Sequence, residues 1–180
     1  MNAIKLLKQQ HREVKKLFKE AEAAEGVALR DLADLISDKL AIHAAIEEHH
    51  FYPSAMADRT EDLLREAVEE HLAAKRVIAD LMEDEPSDPQ FRAKISVLKD
   101  LILHHVEEEE GDLFEKAEKV LDDDALEALG ATMQEEVERL SSKGSPRDAV
   151  PGETAKPAPL PAPTSTGGKR RGGKAAEAHL

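Results

Sequence analysis

Four long stretches of the sequence repeat apolar residues at alternating spacings of three and four, and this pattern constrains the fold more than any other feature. Such spacing lines up one apolar stripe along an amphipathic helix. The stretches are separated by helix-stopping and helix-starting residues, among them Gly26, Pro53 and Asp88. Short connections between long helices favour antiparallel neighbours. The sequence therefore predicts an all-α fold, an up-down-up-down four-helix bundle.

The limits of the helices follow from the same signals. Asn2 caps the first helix, Asp58 or Thr60 starts the third, and Pro89 occupies the first turn of the fourth. A short fifth helix begins at residues 122–124. The expected ranges are residues 3–25, 27–52, 60–83, 89–120 and 122–140. Composition agrees, because Ala, Leu, Glu and Lys dominate and only five aromatic residues are present.

A change of composition at residue 141 divides the chain. Residues 141–180 contain six proline and six glycine residues and no aromatic residue. Such a segment cannot bury enough apolar surface to offset the entropy of ordering it. We therefore predict a bundle domain over residues 1–140 and a disordered C-terminal tail over residues 141–180. For the basic cluster at residues 169–171, two interpretations stay open: a solvated tail, or a contact with a partner or an anionic surface.

The acidity of the chain excludes several classes of function. The formal net charge is −13, and residues 1–140 alone hold 35 acidic and 18 basic residues. Such a body lacks the basic surface that phosphate contacts need, so we expect no nucleic acid partner there. The absence of cysteine excludes disulfides and thiolate metal sites. No apolar run reaches the ~18 residues that span a bilayer and no signal core is present, so we expect a cytoplasmic protein without a membrane partner.

Each of the four long predicted helices carries one histidine on its apolar stripe: His11, His43, His71 and His105. Each lies roughly nine to eleven residues from one end of its helix. With alternating helix directions and a rise of ~1.5 Å per residue, all four histidines fall in one layer, ~14–16 Å from the same end of the bundle. The sequence therefore predicts four imidazoles meeting in the middle of the core.

Two carboxylates join this layer. Glu47 follows His43 by four residues and Glu109 follows His105 by four, so each Glu shares the inward face of its histidine. Buried carboxylates without a cation are costly. The histidines are also spaced as a repeat, 32 residues from His11 to His43 and 34 from His71 to His105. Two similar halves would supply two imidazoles to each of two metals, with both carboxylates bridging. Nitrogen and oxygen ligands with carboxylate bridges suit iron or manganese better than tetrahedral zinc.

At these residues the sequence resembles the hemerythrin-like, or HHE cation-binding, family. The resemblance covers roughly residues 3–120 and rests on His11, His43-x-x-x-Glu47, His71 and His105-x-x-x-Glu109 in that order. It implies a four-helix bundle around two iron ions with an oxo or hydroxo bridge, manganese being the less favoured metal. It also implies a centre that reacts with O2, NO or peroxide, or that handles iron.

Two departures from the oxygen-carrying members of that family bear on function. Those proteins have a fifth histidine four residues after the third-helix histidine, where this chain has Lys75. Their last bridging carboxylate is an aspartate set five residues after the fourth-helix histidine, where this chain has Glu109 at four. Simple reversible oxygen carriage is therefore not expected.

Several functions remain open from the sequence. They are a binding protein or sensor for O2 or NO, a catalase-like enzyme that removes peroxide, an iron-buffering protein, and a helical interaction module without a metal. The expected partner is a small diatomic or peroxide ligand rather than an organic substrate, and a partner for the tail stays undefined.

The remaining polar residues near the layer receive weaker predictions. Tyr52 either packs at the end of the bundle or places its hydroxyl against a bound ligand or a buried polar group. His50 lies one turn below Glu47, as a support for the ligands, as an additional ligand or near the bundle end. Lys75 extends from the edge of the stripe or bonds nearby acids. Four glutamates are assigned to solvated faces: Glu48, Glu107, Glu108 and Glu110.

Overall fold

A computed structural model describes residues 1–165 of the chain. It contains seven α-helices over these residues: α1 (Ala3–Ala23), α2 (Gly26–Ile46), α3 (Tyr52–Ala55), α4 (Glu61–Glu83), α5 (Pro89–Glu108), α6 (Phe114–Ala117) and α7 (Asp123–Ser141). The long helices pack in a ring, α1 on α2, α2 on α4, α4 on α5 and α5 on α1. The predicted four-helix bundle with an additional C-terminal helix is confirmed. The basic cluster at residues 169–171 lies outside the described residues.

Capping side chains define most of the helix starts that the sequence predicted. Asn2 Oδ1 accepts from the backbone N–H of residue 5, and the carboxylates of Asp88 and Asp122 accept from the first turns of α5 and α7. Thr60 immediately precedes α4, but its hydroxyl bonds the preceding loop instead, donating to the carbonyl of Ala55 at 2.6 Å. These bonds satisfy backbone groups that the helix ends leave unpaired.

Two π-helical turns, Glu47–Phe51 and Glu109–Leu113, interrupt the second and fourth long helices. The prediction that Pro53 ends the second helix at Tyr52 is wrong, because the helix continues to Ala55. Proline in a helix removes one backbone hydrogen bond and crowds the preceding turn. The wider π turn directly before it relieves that crowding. Both π turns begin at a glutamate of the predicted metal site, and such turns occur frequently at functional sites.

The core consists of two apolar clusters stacked along the bundle axis. The first lies near the π turns and includes Leu7, Ile46, Phe51, Tyr52, Leu64, Phe114 and Met133. The second fills the other end and includes Val14, Phe18, Ile36, Ile78, Phe91, Leu98 and Ile102. Along each helix, the predicted metal-site histidine falls between members of the two clusters. The polar layer is therefore enclosed by apolar packing above and below.

The structure differs from the expected disordered tail over residues 146–164, which pack against the bundle. A 3-10 helix, Pro146–Glu153, lies on α2 and α4, and its Val150 is buried in the second apolar cluster. The guanidinium of Arg147 donates to Asp38 at 2.5 Å and to Asp34 at 3.1 Å. Average composition missed this docking, because one buried valine and a few ion pairs with an acidic body suffice to hold a short segment. We call residues 146–164 the strap.

The strap continues across α4 to the loop after α3. Arg76 donates to the carbonyl of Thr154 at 3.1 Å, and Thr164 donates both its hydroxyl and its backbone N–H to the carbonyl of Met56. Within residues 1–165, no helix combines the length and the apolar character that crossing a membrane requires.

Candidate metal centre

The structure brings all six predicted metal-binding side chains into one buried layer of the bundle core. The layer lies between the two apolar clusters, as the heights estimated from the sequence require. The six residues are His11, His43, Glu47, His71, His105 and Glu109.

The four imidazoles form two pairs. The Nε2 atoms of His11 and His43 are 3.2 Å apart, and those of His71 and His105 are also 3.2 Å apart. These pairs are the two halves of the repeat that the sequence spacing indicated. Each half of the bundle thus contributes two ring nitrogens to its own cluster.

Glu47 and Glu109 connect the two pairs. Oε2 of Glu47 lies 3.1 Å from Nε2 of His43, in one pair, and 3.2 Å from Nε2 of His71, in the other. The carboxylate of Glu109 spans the pairs in the same way, with Oε2 at 3.3 and 3.6 Å from the remaining two Nε2 atoms. Both carboxylates therefore lie between the two histidine pairs, where bridging ligands would be needed.

Each imidazole places its other ring nitrogen, Nδ1, within 2.8–3.0 Å of an oxygen acceptor on the adjacent helix. The acceptors are Gln10 for His43, Glu48 for His71, Glu70 for His105 and Glu110 for His11. A ring nitrogen that faces such an oxygen carries the proton, which leaves Nε2 with a free lone pair. All four lone pairs consequently point into the layer.

This arrangement leaves buried groups without partners. No proton is available between the two Nε2 atoms of either pair, and Glu47 Oε1 and Glu109 Oε2 are buried without a hydrogen bond. Uncompensated buried carboxylates cost on the order of several kcal/mol each. Two overlapping ligand sets lie within 4.8 Å, one around His11 and His43 and one around His71 and His105, with Glu47 in both. A cation in each set would satisfy these atoms, so the residues fit a metal centre.

The pKa shifts differ among the six groups, and a cation would have to displace the proton that burial favours on Glu47. Burial and the neighbouring His11 hold the pKa of His43 well below its usual range, so this imidazole is neutral, as a metal ligand must be. Burial and the adjacent Glu109 raise the pKa of Glu47 well above its usual range. Burial also opposes ionisation of Glu109, but His105 and His11 outweigh it and the pKa of Glu109 is lowered.

Tyr52 lies directly beneath the layer and is fully buried. Its hydroxyl donates to Glu109 Oε1 at 3.0 Å and lies 3.3 Å from both Glu47 Oε2 and His71 Nε2. Its ring stacks on the ring of His71, with centroids 5.5 Å apart. Burial and the carboxylate of Glu109 raise the pKa of Tyr52 well above its usual range, so the hydroxyl keeps its proton and donates it. Of the two predicted roles, the contact with buried polar groups is the one observed.

Lys75 is directed away from the layer. Its Nζ lies 2.7 Å from Oε2 of Glu48 and 2.8 Å from the carboxylate of Glu153 in the strap. Burial lowers the pKa of Lys75, but the hydrogen bonds of Glu153 and Glu48 raise it by more, so the ammonium remains charged. Because Glu48 also accepts from His71, the strap is linked to one metal-site imidazole through two side chains.

A cavity of about 30 Å³ lies on the other side of the imidazoles from Tyr52. All four histidines line it, and apolar side chains such as Val14, Ile78 and Ile102 form the rest of its wall. A space of this size holds one small molecule.

A comparison with known families agrees with the geometry. The family described as the Hemerythrin HHE cation binding domain matches residues 2–117. The chain belongs to this family. It is therefore a protein with a metal-cation-binding domain, and the buried layer holds side chains that could bind a cation.

Individual relatives extend the comparison. A hemerythrin HHE cation-binding domain-containing protein from Mycobacterium kansasii has a similar crystal structure, with a TM-score of 0.71 and 25% sequence identity. The match covers 83% of this chain and 99% of that one. A curated relative, a DNA nickase from Nostoc sp., is 28% identical over 115 residues, or 63% of this chain and 33% of its own length. The chain thus spans about a third of that relative.

Other histidines of this hemerythrin-family bundle lie away from the layer. His49 is exposed and His50 is half-buried, on the π turn that packs against α7. Neither contributes to a metal-ligand set among the described residues. His104 is exposed beside the centre and contacts two glutamates. His179 lies outside the described residues.

The Nδ1 acceptors were largely missed by the sequence analysis. The assignment of Glu48 to a solvated face is wrong, since it is buried, whereas Glu110 is exposed as predicted but also bonds His11. One signal was present: each acceptor is the immediate neighbour in sequence of a metal-site residue. Gln10, for example, precedes His11 and bonds the histidine of the next helix.

Proposed function

We propose that this protein holds two iron ions in the buried layer and that the centre binds or reacts with O2, NO or peroxide in oxidative or nitrosative stress. The observation that carries the proposal is the convergence of four Nε2 atoms in two pairs, joined by two carboxylates. One ion would lie between His11 and His43 and the other between His71 and His105. Glu47 and Glu109 would bridge them.

The donor set supports iron. Nitrogen and oxygen ligands with shared carboxylates suit Fe more than structural zinc, which is usually four-coordinate and closed. Manganese is the second choice on the same grounds. When bound, the metals supply the redox chemistry and Lewis acidity of the site.

The chain's own residues define what reaches the centre. The apolar wall of the small cavity excludes bulk water, and its volume admits a diatomic or a peroxide but no organic substrate. Tyr52 donates a proton in a hydrogen bond to the bridging carboxylate, and the four Nδ1 acceptors fix the orientation of the rings. These contacts hold the ligands in place while a small molecule exchanges.

The position of Lys75 supports a centre that reacts with O2 rather than one that carries O2 reversibly. Its ammonium is bonded to Glu48 and Glu153, so it supplies no third nitrogen to the adjacent pair. A less enclosed metal binds exogenous ligands readily. Iron buffering and catalase-like removal of peroxide are the alternatives that share this geometry.

The similarity to a DNA nickase does not extend the proposal to DNA cleavage. The shared region is about a third of that protein, and the acidic body here lacks a phosphate-binding surface.

Metal analysis of protein purified with iron available tests the centre. We expect about two iron ions per chain, and Glu47→Ala and Glu109→Ala should each lose most of the iron. Glu107→Ala, which removes an exposed carboxylate from the same helix, is the matched control and should keep it. Equal iron in all three variants, or less than about half an iron per wild-type chain, would contradict the proposal.

Stopped-flow spectra then separate the ligands. The reduced protein is mixed with O2, NO or hydrogen peroxide, and the spectrum is followed during deoxygenation. Rapid oxidation in air with tight NO binding or catalytic loss of peroxide supports the proposal. An O2 adduct that persists for many minutes and reverses fully under argon would identify a carrier instead.

A further inference from the structure

A second group of metal-ligating side chains lies at the surface next to the buried layer. His104 Nε2 is 3.5 Å from Oε1 of Glu70 and 3.5 Å from Oε1 of Glu108. The three ligand atoms lie within 4.8 Å of one another. His104 is exposed, whereas both glutamates are partly buried. One imidazole and two carboxylates supply three ligands and leave the other positions of a cation to water.

Glu70 joins this surface group to the buried layer. Its Oε1 faces His104, while its Oε2 accepts from Nδ1 of His105 at 2.8 Å. A narrow space of about 10 Å³ is lined by Glu70, Glu108, His105 and Glu109. Glu109, whose Oε2 is buried and has no hydrogen-bond partner, thus lies on the inner side of the same space. The unsatisfied carboxylate and the surface ligands are separated by one small gap.

The local charge favours cations at this face. Residues 104–112 contain five carboxylates and no lysine or arginine. A field of this kind concentrates cations at that face.

The internal repeat shows that these ligands are not needed for the bundle itself. In the first half of the chain, the positions that correspond to Glu70, His104 and Glu108 hold Gln10, Ile42 and Ile46. Both isoleucines are buried on the side where α7 packs against α1 and α2. No helix of the described residues covers the corresponding α4–α5 face in this way. The open face is therefore the one that carries metal ligands.

We propose that Glu70, His104 and Glu108 form a transit site that captures Fe²⁺ at the surface and passes it to the buried centre. This inference rests on the proposed function, since it assumes that iron is the ion delivered. Three protein ligands with water in the remaining positions bind weakly enough to release the ion. Glu70 and then Glu109 offer oxygen atoms along the way inward.

The kinetic test compares two double variants that remove the same types of side chain. His104→Ala with Glu108→Gln disables the transit site, and His49→Ala with Glu107→Gln, both at exposed positions, is the control. Glu70 is left intact because it bonds His105. Apoprotein is mixed with Fe²⁺ without oxygen, and iron protected from a chelator is followed over time. We expect about a tenfold slower uptake in the transit variant alone, with the same final iron content. Equal rates in both variants would overturn the transit site and leave the buried centre standing.

An equilibrium test is independent of the buried centre. Glu47→Ala is titrated with Mn²⁺ and followed by electron paramagnetic resonance, before and after adding His104→Ala and Glu108→Gln. Loss of one weak Mn²⁺ site per chain on adding the two substitutions supports the proposal. Identical titrations would overturn it, whatever the iron content of the wild type.

Discussion

Replacing Val150 by Ala tests whether the strap contributes to folding. Val150 is 2% exposed and lies in the second apolar cluster between α2 and α4. The substitution removes two methyl carbons from that contact and leaves the backbone of the 3-10 helix unchanged. If the tail were disordered, the substitution would leave the free energy of unfolding unchanged. If the strap is docked, the substitution lowers it.

The magnitude follows from the buried atoms. At ~0.8 kcal/mol per buried carbon, the two methyl groups account for about 1.6 kcal/mol of transfer free energy. The cavity left behind brings the loss in the free energy of unfolding to about 2 kcal/mol. For a chain of this size, each kcal/mol lowers Tm by about 2–4 °C, so the expected fall is about 4–8 °C.

Thermal unfolding of the apoprotein, followed by circular dichroism, measures the effect. Val97→Ala is the matched control, because it makes the same chemical change at a residue that is 52% exposed. The control should change the free energy of unfolding by no more than about 0.5 kcal/mol. If both variants melt at the same temperature as the wild type, the strap is not docked in solution and the reasoning fails. Local unfolding of the strap alone would give the same result, and would refute its contribution equally.

Three further substitutions test the centre and the packing around it. Glu48→Ala removes a ring-nitrogen acceptor, so iron affinity should fall about 10–100-fold by competition with a chelator, while Glu107→Ala should leave it unchanged. Tyr52→Phe leaves a buried carboxylate without its donor and should lower apoprotein stability by about 1–3 kcal/mol in urea unfolding; unchanged stability would show that the bond contributes nothing. Gly130→Ala sets a methyl group against the backbone of the N-terminus and should cost about 1–3 kcal/mol, whereas Gly111→Ala has open space around it; equal melting temperatures would contradict the close approach.

The buried layer of four histidines and two glutamates could be predicted because helical periodicity fixes both the face and the height of a side chain. A histidine on each apolar stripe and a glutamate four residues later define positions in space without any knowledge of loops. The π turns at Glu47 and Glu109 could not be predicted in this way. Nothing in the local spacing distinguishes a π turn from a regular α-helical turn. For that reason the sequence analysis did not predict that the helix continues beyond Pro53.

Contacts between helices could not be predicted from the periodicity of a single helix. Glu48 follows Glu47 by one residue, which on an isolated helix turns it about 100° away from the core. It is buried because Lys75 and the strap cover it, and neither contact is visible in the periodicity of its own helix. The sequence analysis did not predict the docking of the strap for a related reason. Composition averages over forty residues, whereas two individual residues, Val150 and Arg147, make the contacts that hold the strap on the bundle.

The Nδ1 acceptors form a closed ring around the bundle. Each long helix supplies one histidine and also the acceptor for the histidine of the next helix, in the order α1, α2, α4, α5 and back to α1. The two halves match around this ring except at one pair of positions, where Gln10 corresponds to Glu70. A carboxylate that accepts from Nδ1 makes the ring a stronger metal ligand than a neutral amide does.

This single difference makes the two imidazole pairs unequal. His71 and His105 both bond carboxylates, whereas His43 bonds the amide of Gln10. The pair with two carboxylate acceptors is also the one next to the surface ligands, through Glu70. The half of the repeat with two carboxylate acceptors is therefore the half that lies next to the surface group of Glu70, His104 and Glu108.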